Sequence, residues 1–321
     1  MSPRASAKFN YDDLSKLLLE LPDLPYQPLR RELYSPSELL DGYDGALAST
    51  CDYRIYRHFS HNGRFEPTLG EALAQRLHDW SIDEALRAFI ASRQKCIVAI
   101  MGGHSKTRDT VEYASVARLA WLLGRSGRLV ASGGGPGIME AANLGAFLSA
   151  SDDPKCVEEA LSILTPYPDY RESAYFDAAR RVREQLGPGA SSLAVPTWFY
   201  GHEPTNLFGT HIAKYFSNGI REDTLLAIAW GGVIYAPGKA GTWQEIFMDL
   251  AQNYYGTYPM LSPMIFFGRD HYEAETALYP IVAKLAAHSP YGEKVVERIR
   301  VADDPEEALR ILDATPPHPI G

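Results

Sequence analysis

Over residues 96–321, short apolar runs alternate with longer stretches in which apolar residues recur at helical spacing. The first run, Cys96-Ile-Val-Ala-Ile-Met101, is apolar throughout, which is typical of a strand buried on both faces. Similar runs predict strands at 128–132, 192–196, 232–236, 263–267 and 298–302. The stretches between them predict helices at 110–126, 137–149, 221–229 and 242–254. This alternation predicts an α/β fold, a parallel sheet with helices on both faces.

Residues 1–95 show a different pattern. They are rich in proline and tyrosine and lack the alternation of strands and helices. The sequence Ser81-Ile-Asp-Glu84 matches a capping box, which predicts that a helix begins there and continues over 85–92. We therefore expect a helical and looped N-terminal extension, 1–95, packed on a domain formed by 96–321. A helical insert is expected at about 150–190 within that domain.

Composition narrows the range of partners. The apolar fraction is 45%, enough for a sizeable core, and the formal net charge is −9. A chain without a basic excess gains little from counterion release, so no nucleic-acid or anionic-membrane surface is expected. Cys51, Cys96 and Cys156 have neither disulfide nor metal-ligand spacing, which favours a reducing cytoplasm and no metal site. The first ten residues lack the long apolar run of a signal peptide.

Glycine-rich loops follow three of the predicted strands. They are Gly102-Gly-His-Ser105, Ser132-Gly-Gly-Gly-Pro-Gly137 and Pro237-Gly-Lys-Ala-Gly-Thr242. Glycines at a strand–helix junction let the backbone approach a ligand, and the N–H groups of the helix start then face an anion. We expect one nucleotide-like ligand at this edge of the sheet, with tight structural turns as the alternative. Neither long loop has the spacing of a dinucleotide fingerprint or a P-loop, which disfavours ordinary NAD and ATP sites.

Two charged residues near these loops are candidates for chemistry. Glu245 lies one turn into the helix after the third loop, but Thr242-Trp-Gln-Glu245 also matches a capping box, with Thr242 as the N-cap. Structural and catalytic roles therefore both remain open for Glu245. Arg221 is either a solvated charge near a helix start or a site residue. Ser105 can donate its hydroxyl to a phosphate, whereas His104 is expected to be a hydrogen-bonding loop residue.

Together these segments resemble a known family. Gly133-Gly-Gly-Pro-Gly-Ile-Met-Glu-Ala-Ala-Asn143 and Pro237-Gly-Lys-Ala-Gly-Thr-Trp-Gln-Glu245 resemble the paired G-G-G-x-x-G-x-M and P-G-G-x-G-T-x-x-E motifs of the LONELY GUY (LOG) proteins. That family, long mislabelled "lysine decarboxylase", comprises phosphoribohydrolases that release free base and ribose 5-phosphate from nucleoside 5′-monophosphates such as AMP or cytokinin riboside monophosphates. The resemblance covers about 96–270. It implies a Rossmann-like sheet, usually in a homodimer with the site close to the subunit interface.

The resemblance also assigns roles to residues. Glu245 falls on the family's catalytic glutamate, and Arg221, sixteen residues before Pro237, is matched to its catalytic arginine. The positions expected to bind the phosphate and nucleotide are Gly102, Gly103, Ser105, Gly133, Gly134, Gly135, Gly137, Met139, Gly238, Lys239, Gly241 and Thr242.

Two positions depart from the family pattern. Glu222 stands where a lysine commonly follows the arginine, and Lys239 replaces the middle glycine of the second motif. If that glycine needs a positive φ, Lys239 is strained there. Alternatively, its ammonium group supplies charge for a phosphate.

Two hypotheses follow. The first is a cytoplasmic hydrolase that cleaves the N-glycosidic bond of a nucleoside 5′-monophosphate, without metal or cofactor, as a homodimer or higher homo-oligomer. The second is a Rossmann-like protein that binds a nucleotide or the molybdenum cofactor without cleaving it.

Overall fold

A computed structural model describes residues 24–91, 93 and 96–320 of the chain. The strands are β1 (Ile97–Met101), β2 (Leu129–Ser132), β3 (Leu193–Ala194), β4 (His211–Ile212), β5 (Gly232–Tyr235), β6 (Met260–Leu261), β7 (Met264–Phe267), β8 (Ile299–Ala302) and β9 (His318–Pro319). The helices are α1 (Pro36–Leu39), α2 (Cys51–Asn62), α3 (Leu69–Ile90), α4 (Val111–Arg125), α5 (Ile138–Leu148), α6 (Lys155–Leu164), α7 (Ser173–Leu186), α8 (Asn218–Ile228), α9 (Ala240–Tyr255), α10 (Leu278–Ala286), α11 (Glu293–Val296) and α12 (Pro305–Ala314). A 3₁₀ turn spans Leu47–Ser49, and a π-helical turn spans Asp270–Glu275.

Within the described residues, one sheet contains seven parallel strands in the order β4-β3-β2-β1-β5-β7-β8. The predicted α/β fold with a Rossmann-like parallel sheet is therefore confirmed. From the central β1 the chain builds one half of the sheet outwards to β4, then returns to the other side of β1 with β5. The loops after β1 and β5 consequently lead to opposite sides of the sheet, which opens a crevice at its carboxyl edge.

Strand β1 is buried on both faces, which explains why its sequence is continuously apolar. Ile97, Ala99 and Met101 belong to one buried cluster, and Val98 and Ile100 belong to another. Successive strand side chains point to opposite faces, so both faces of this strand require apolar residues. Helices α4 to α7 and α12 contribute to the second cluster, and α8 to α11 contribute to the first.

The N-terminal extension, here residues 24–91, packs on the same face as α8 and α9. Its residues Tyr34, Ile55, Phe59 and Leu86 belong to the first cluster. Tyr34 also exchanges two backbone hydrogen bonds of 2.9 Å with Ile212, which covers the edge strand β4. The extension therefore shares a core with the sheet.

The predicted helix start at Ser81 is wrong. Helix α3 begins at Leu69, where Thr68 is the N-cap and accepts a hydrogen bond from the Glu71 backbone N–H. It runs through Ser81, whose hydroxyl donates to the His78 carbonyl and accepts from the Arg30 N–H. A buried serine that bonds to the preceding turn has the same sequence signature as an N-cap. Residue 92, the predicted end of the helix, lies outside the described residues.

A buried ionic network joins the 150–190 insert to α5, the helix that follows the glycine-rich loop 132–137. Arg108 donates twice to Glu140 on α5, at 2.6 and 2.9 Å, and once each to the carbonyls of Tyr167 and Tyr175. Tyr113 and Tyr175 donate their hydroxyls to the same carboxylate at 2.8 and 2.7 Å. Both charged side chains are nearly inaccessible to solvent. Helix α5, buried on nearly all sides, is thereby locked against α4 and α7.

Candidate functional site

A cleft of about 540 Å³ lies at the carboxyl edge of β1, β2 and β5. The three glycine-rich loops meet there because their strands are neighbours. The Gly103 N–H donates to the Pro237 carbonyl at 3.1 Å, which joins the loop after β1 to the loop after β5. The Ile138 N–H donates to the Gly103 carbonyl at 3.3 Å, which ties in the start of α5.

Gly137 shows why the second loop needs glycine. Its φ is +70°, and a Cβ atom there would lie 2.6 Å from the His104 carbonyl oxygen and 2.7 Å from that of Gly103. Any other residue would be strained by its backbone conformation and would also collide with the neighbouring loop.

Arg221 and Glu245 meet at the floor of the cleft. Arg221 lies on α8 and Glu245 on α9, and Arg221 Nη1 is 3.6 Å from Glu245 Oε1. The Arg221 Nε–H donates to the Val195 carbonyl at 2.8 Å, which fixes the guanidinium. A Cβ atom at Gly133 would overlap Arg221 Nη2, so this glycine leaves room for the arginine. Both charged side chains are largely buried, with 10% and 12% of their surface exposed.

The environment of Glu245 favours its neutral form more than water does. Burial raises its pKa to about 7, the Arg221 guanidinium opposes the rise, and the Glu222 carboxylate adds to it. Glu222 itself accepts hydrogen bonds from Asn218 and Gln244, at 2.7 and 2.6 Å. A carboxyl group that titrates near neutral pH inside a cleft is suited to proton transfer.

The capping box predicted at the start of α9 is not formed. The helix begins at Ala240 with Lys239 as its N-cap, and Thr242 already lies within the first turn. Among the described residues, no side chain caps this helix start, so Glu245 faces the cleft from one turn further along. Lys239 has φ −113° and ψ −154°, an extended conformation open to any residue. The strain considered for Lys239 is therefore absent.

The predicted site residues fall into two groups. Those that line the cleft are Gly102, Gly103, Ser105, Gly133, Gly135, Met139, Arg221, Lys239, Gly241, Thr242 and Glu245. Gly134, Gly137 and Gly238 do not line the cleft. The Gly134 N–H donates to the Ser132 hydroxyl, and its carbonyl accepts from Asn206, so its polar groups serve the loop itself.

Residues 196–205, which follow β3, form the outer wall of the cleft. Sequence reasoning did not identify this segment. It places Tyr200 and Glu203 at the cleft, with Glu203 Oε1 3.9 Å from His104 Nδ1. Tyr200 accepts a hydrogen bond from Asn218 at 3.0 Å. The sequence could have indicated this segment only through its place after a predicted strand. A loop that follows a parallel strand must lie at the same carboxyl edge as the glycine-rich loops.

A second carboxyl group lies one turn beyond Glu245 on the same helix, directed away from the cleft. Asp249 accepts a hydrogen bond from the Tyr235 hydroxyl at 2.7 Å and is 1% exposed. Burial raises its pKa to about 7, against the opposing effect of that hydrogen bond. Helix α9 therefore carries two carboxyl groups of similar acidity, and only Glu245 lines the cleft.

In residues 24–91, 93 and 96–320, no group of three or more His, Cys, Asp or Glu side chains is arranged to hold a metal ion. In the same part of the chain, no helix is both long enough and apolar enough to cross a bilayer.

Comparisons with known proteins give distant structural similarities. No protein-family model and no curated protein sequence matches the chain. The molybdenum cofactor binding protein of the phototrophic bacterium Rippkaea orientalis is 14% identical, with a TM-score of 0.42 over 68% of this chain and 95% of that one. The molybdenum cofactor carrier protein of Chlamydomonas reinhardtii is 13% identical, with a TM-score of 0.42 over 68% and 96%.

A structural-genomics target named TM1055 is 16% identical, with a TM-score of 0.41 over 68% of this chain and 98% of that one. Similarities at this level carry no argument about function. The Rossmann-like arrangement stands on the strand order of the chain itself.

Proposed function

We propose that the protein hydrolyses the N-glycosidic bond of a nucleoside 5′-monophosphate to free base and ribose 5-phosphate. The supporting observation is the Arg221–Glu245 pair on the floor of a cleft bordered by three glycine-rich loops. The loops are suited to a phosphate, and the carboxylate is suited to the sugar carbon. Neither group needs a metal ion for these roles.

Each group has a defined task in this reaction. Bond cleavage passes through an oxocarbenium-like state, whose positive charge the Glu245 carboxylate stabilises while it orients and deprotonates the attacking water. The departing base carries negative charge, which the Arg221 guanidinium offsets until the base takes up a proton from water and leaves as the free base. Glu245 returns the proton of the attacking water to solvent. The 5′-phosphate rests against the glycine loops and the start of α9, beside the ammonium group of Lys239.

The test is incubation of the purified protein with AMP, GMP, CMP and a cytokinin riboside monophosphate, followed by chromatography. Release of free base together with ribose 5-phosphate is expected from at least one of them. Intact nucleotide in every case, at protein concentrations where binding is measured, would contradict the proposal.

The reaction is expected to depend on pH through Glu245. Because the general base must be ionised, kcat/KM should rise tenfold per pH unit below about pH 7 and level off above it.

The stability of the folded protein should respond to pH in the opposite sense. The folded state holds this proton more tightly than the unfolded chain, so the stabilisation present at low pH is lost as pH rises from the ordinary carboxyl value through about 7. Rate and urea-denaturation profiles between pH 5 and 9 check both, and a flat rate profile would contradict the assignment.

Lys239 is expected to contribute to phosphate binding. Changing Lys239→Met should weaken the binding of ribose 5-phosphate by about three- to tenfold, since an exposed ion pair is screened by water. The effect should shrink at high salt. Lys155→Met, an exposed lysine at the start of α6, is the control and should leave affinity unchanged. Calorimetric titration at two ionic strengths measures both variants.

The second candidate is a protein that binds a phosphate-bearing ligand, a nucleotide or the molybdenum cofactor, without cleaving it. The observation that favours this candidate is Glu222, whose carboxylate raises the pKa of Glu245. The family that the chain resembles commonly has lysine at this position. In this case a soaked crystal or a long incubation returns intact ligand.

A further inference from the structure

The outer wall of the cleft, residues 196–205, has two sides. The residues on the cleft side are Pro196, Thr197, Tyr200, Gly201 and Glu203. The side chains of Trp198, His202 and Thr205, which alternate with them, turn the other way and contact the N-terminal extension or the buried lysine beside it. These three side chains join the wall to the residues behind it, and backbone hydrogen bonds of 3.0 Å join its start, at Pro196 and Trp198, to Tyr215.

Asp52, on the first turn of α2, is the centre of this attachment. Its Oδ1 accepts from the Trp198 indole N–H at 2.7 Å, and its Oδ2 lies 3.4 Å from the Thr205 backbone nitrogen. Both oxygens accept from the Lys214 ammonium group, at 2.7 and 2.9 Å. Lys214 also donates to the Thr205 hydroxyl at 2.9 Å. One carboxylate thus joins the extension to both ends of the wall.

Asp52 and Lys214 form an ion pair that is almost inaccessible to solvent. Asp52 is 5% exposed and Lys214 is fully buried. Burial acts to raise the pKa of Asp52, but the Lys214 ammonium group and the hydrogen bonds hold it below the ordinary value. Removing one partner of such a pair leaves the other charge buried without compensation, which is costly. The attachment is therefore stiff.

His202 provides the middle attachment. Its ring lies edge-on to Tyr53 at 4.9 Å and tilted to Tyr56 at 5.4 Å, both on α2. Burial lowers the pKa of His202 to about 4, so a neutral ring packs against both tyrosines at physiological pH. Tyr200 and Glu203, its near neighbours in sequence, are thereby presented to the cleft.

We propose that the N-terminal extension completes the ligand cleft and that Asp52 is the positioning residue that holds the 196–205 wall in place. This inference rests on the proposed function, in that it takes the cleft to be the ligand site. Asp52 does not line the cleft, so it acts through the wall. In this proposal the N-terminal extension contributes to ligand affinity.

The test compares Asp52→Asn with a matched control, Glu71→Gln. Glu71 is 3% exposed and accepts hydrogen bonds from Tyr26, His58 and Gln75, all of which belong to the extension. Both changes remove a buried charge from the extension, but only the first touches the wall. Amide hydrogen exchange of the free protein and steady-state kinetics are measured for the wild type and both variants.

Asp52→Asn is expected to speed exchange over residues 197–206 and to raise KM by about tenfold, with kcat within about threefold of the wild type. Glu71→Gln should change neither, whatever its effect on the melting temperature. Trp198→Phe removes the indole N–H together with part of the buried ring and leaves the Asp52–Lys214 pair intact. It should shift exchange and KM in the same direction and gives the answer if Asp52→Asn does not fold.

Equal exchange and equal KM in the Asp52 or Trp198 variant and the control would overturn the inference. Failure of the proposed function has a different signature, because the wild type then releases no base. In that case calorimetric affinity for AMP replaces KM, and the exchange experiment still tests the attachment of the wall.

Discussion

Replacing Glu245 with glutamine is expected to lower kcat for base release by about 10²- to 10⁴-fold while leaving the affinity for ribose 5-phosphate close to that of the wild type. Glutamine preserves the shape of the side chain but cannot accept the proton of water or carry the negative charge that the sugar cation requires. The glycine-rich loops, which we propose bind the phosphate, are not expected to depend on this side chain. Single-turnover rates and calorimetric affinities of the two proteins measure the two parts separately.

Asp249→Asn is the matched control for this experiment. Both carboxyl groups lie on α9, both have a pKa of about 7, and Asp249 bonds to Tyr235 instead of lining the cleft. The control should retain kcat within about tenfold. A similar loss in both variants would show that removing any buried carboxyl group from α9 disturbs the site, and the catalytic assignment of Glu245 would then fail.

Replacing Arg108 with methionine is expected to lower the free energy of unfolding by about 3–5 kcal/mol. The change leaves the Glu140 carboxylate buried with only the hydroxyls of Tyr113 and Tyr175, and it removes two bonds to the backbone of the insert. Urea denaturation followed by circular dichroism gives the midpoint and slope. The loss should appear in the midpoint.

Arg118→Met provides the comparison, because Arg118 pairs with Glu306 at the surface and 43% of its side chain is exposed. Its effect should stay below about 1 kcal/mol. If the Arg108 variant lost no more stability than this one, the buried network would not be what holds the insert to α5.

Much of the fold was predictable from the sequence, since the strands that matter most are buried on both faces. β1, β2, β5 and β7 read as continuous apolar runs, and the glycines that follow three of them mark the edge of the sheet. β3 and β4 have two residues each, and β4 gave no hydrophobic signal of its own. β4 pairs with β3, and the extension covers it through Tyr34.

The parts of the candidate site whose backbone conformation follows from a local motif were predictable. The parts whose position depends on tertiary contacts were not. The glycine loops and Glu245 were candidates from local patterns, whereas Arg221 became a candidate through the family resemblance. The capping boxes at Ser81 and Thr242 were wrong because a serine or threonine three residues before a glutamate also occurs inside a helix. The 196–205 wall carries no sequence motif, and its contacts are with residues far away in the sequence, Asp52 among them.

The return of the chain from β4 to β5 has a consequence for folding. The cleft joins the loop after β1 to the loop after β5, and these become neighbours only when strands separated by helices α4 to α8 have paired. Contacts between distant parts of a chain form late, because closing a long loop costs entropy before any contact repays it. Chains in which β1 and β5 have not paired therefore lack the cleft, and a ligand that binds in the cleft would stabilise only molecules in which this pair has formed. Recovery of ligand binding during refolding would thus time the pairing of β1 with β5.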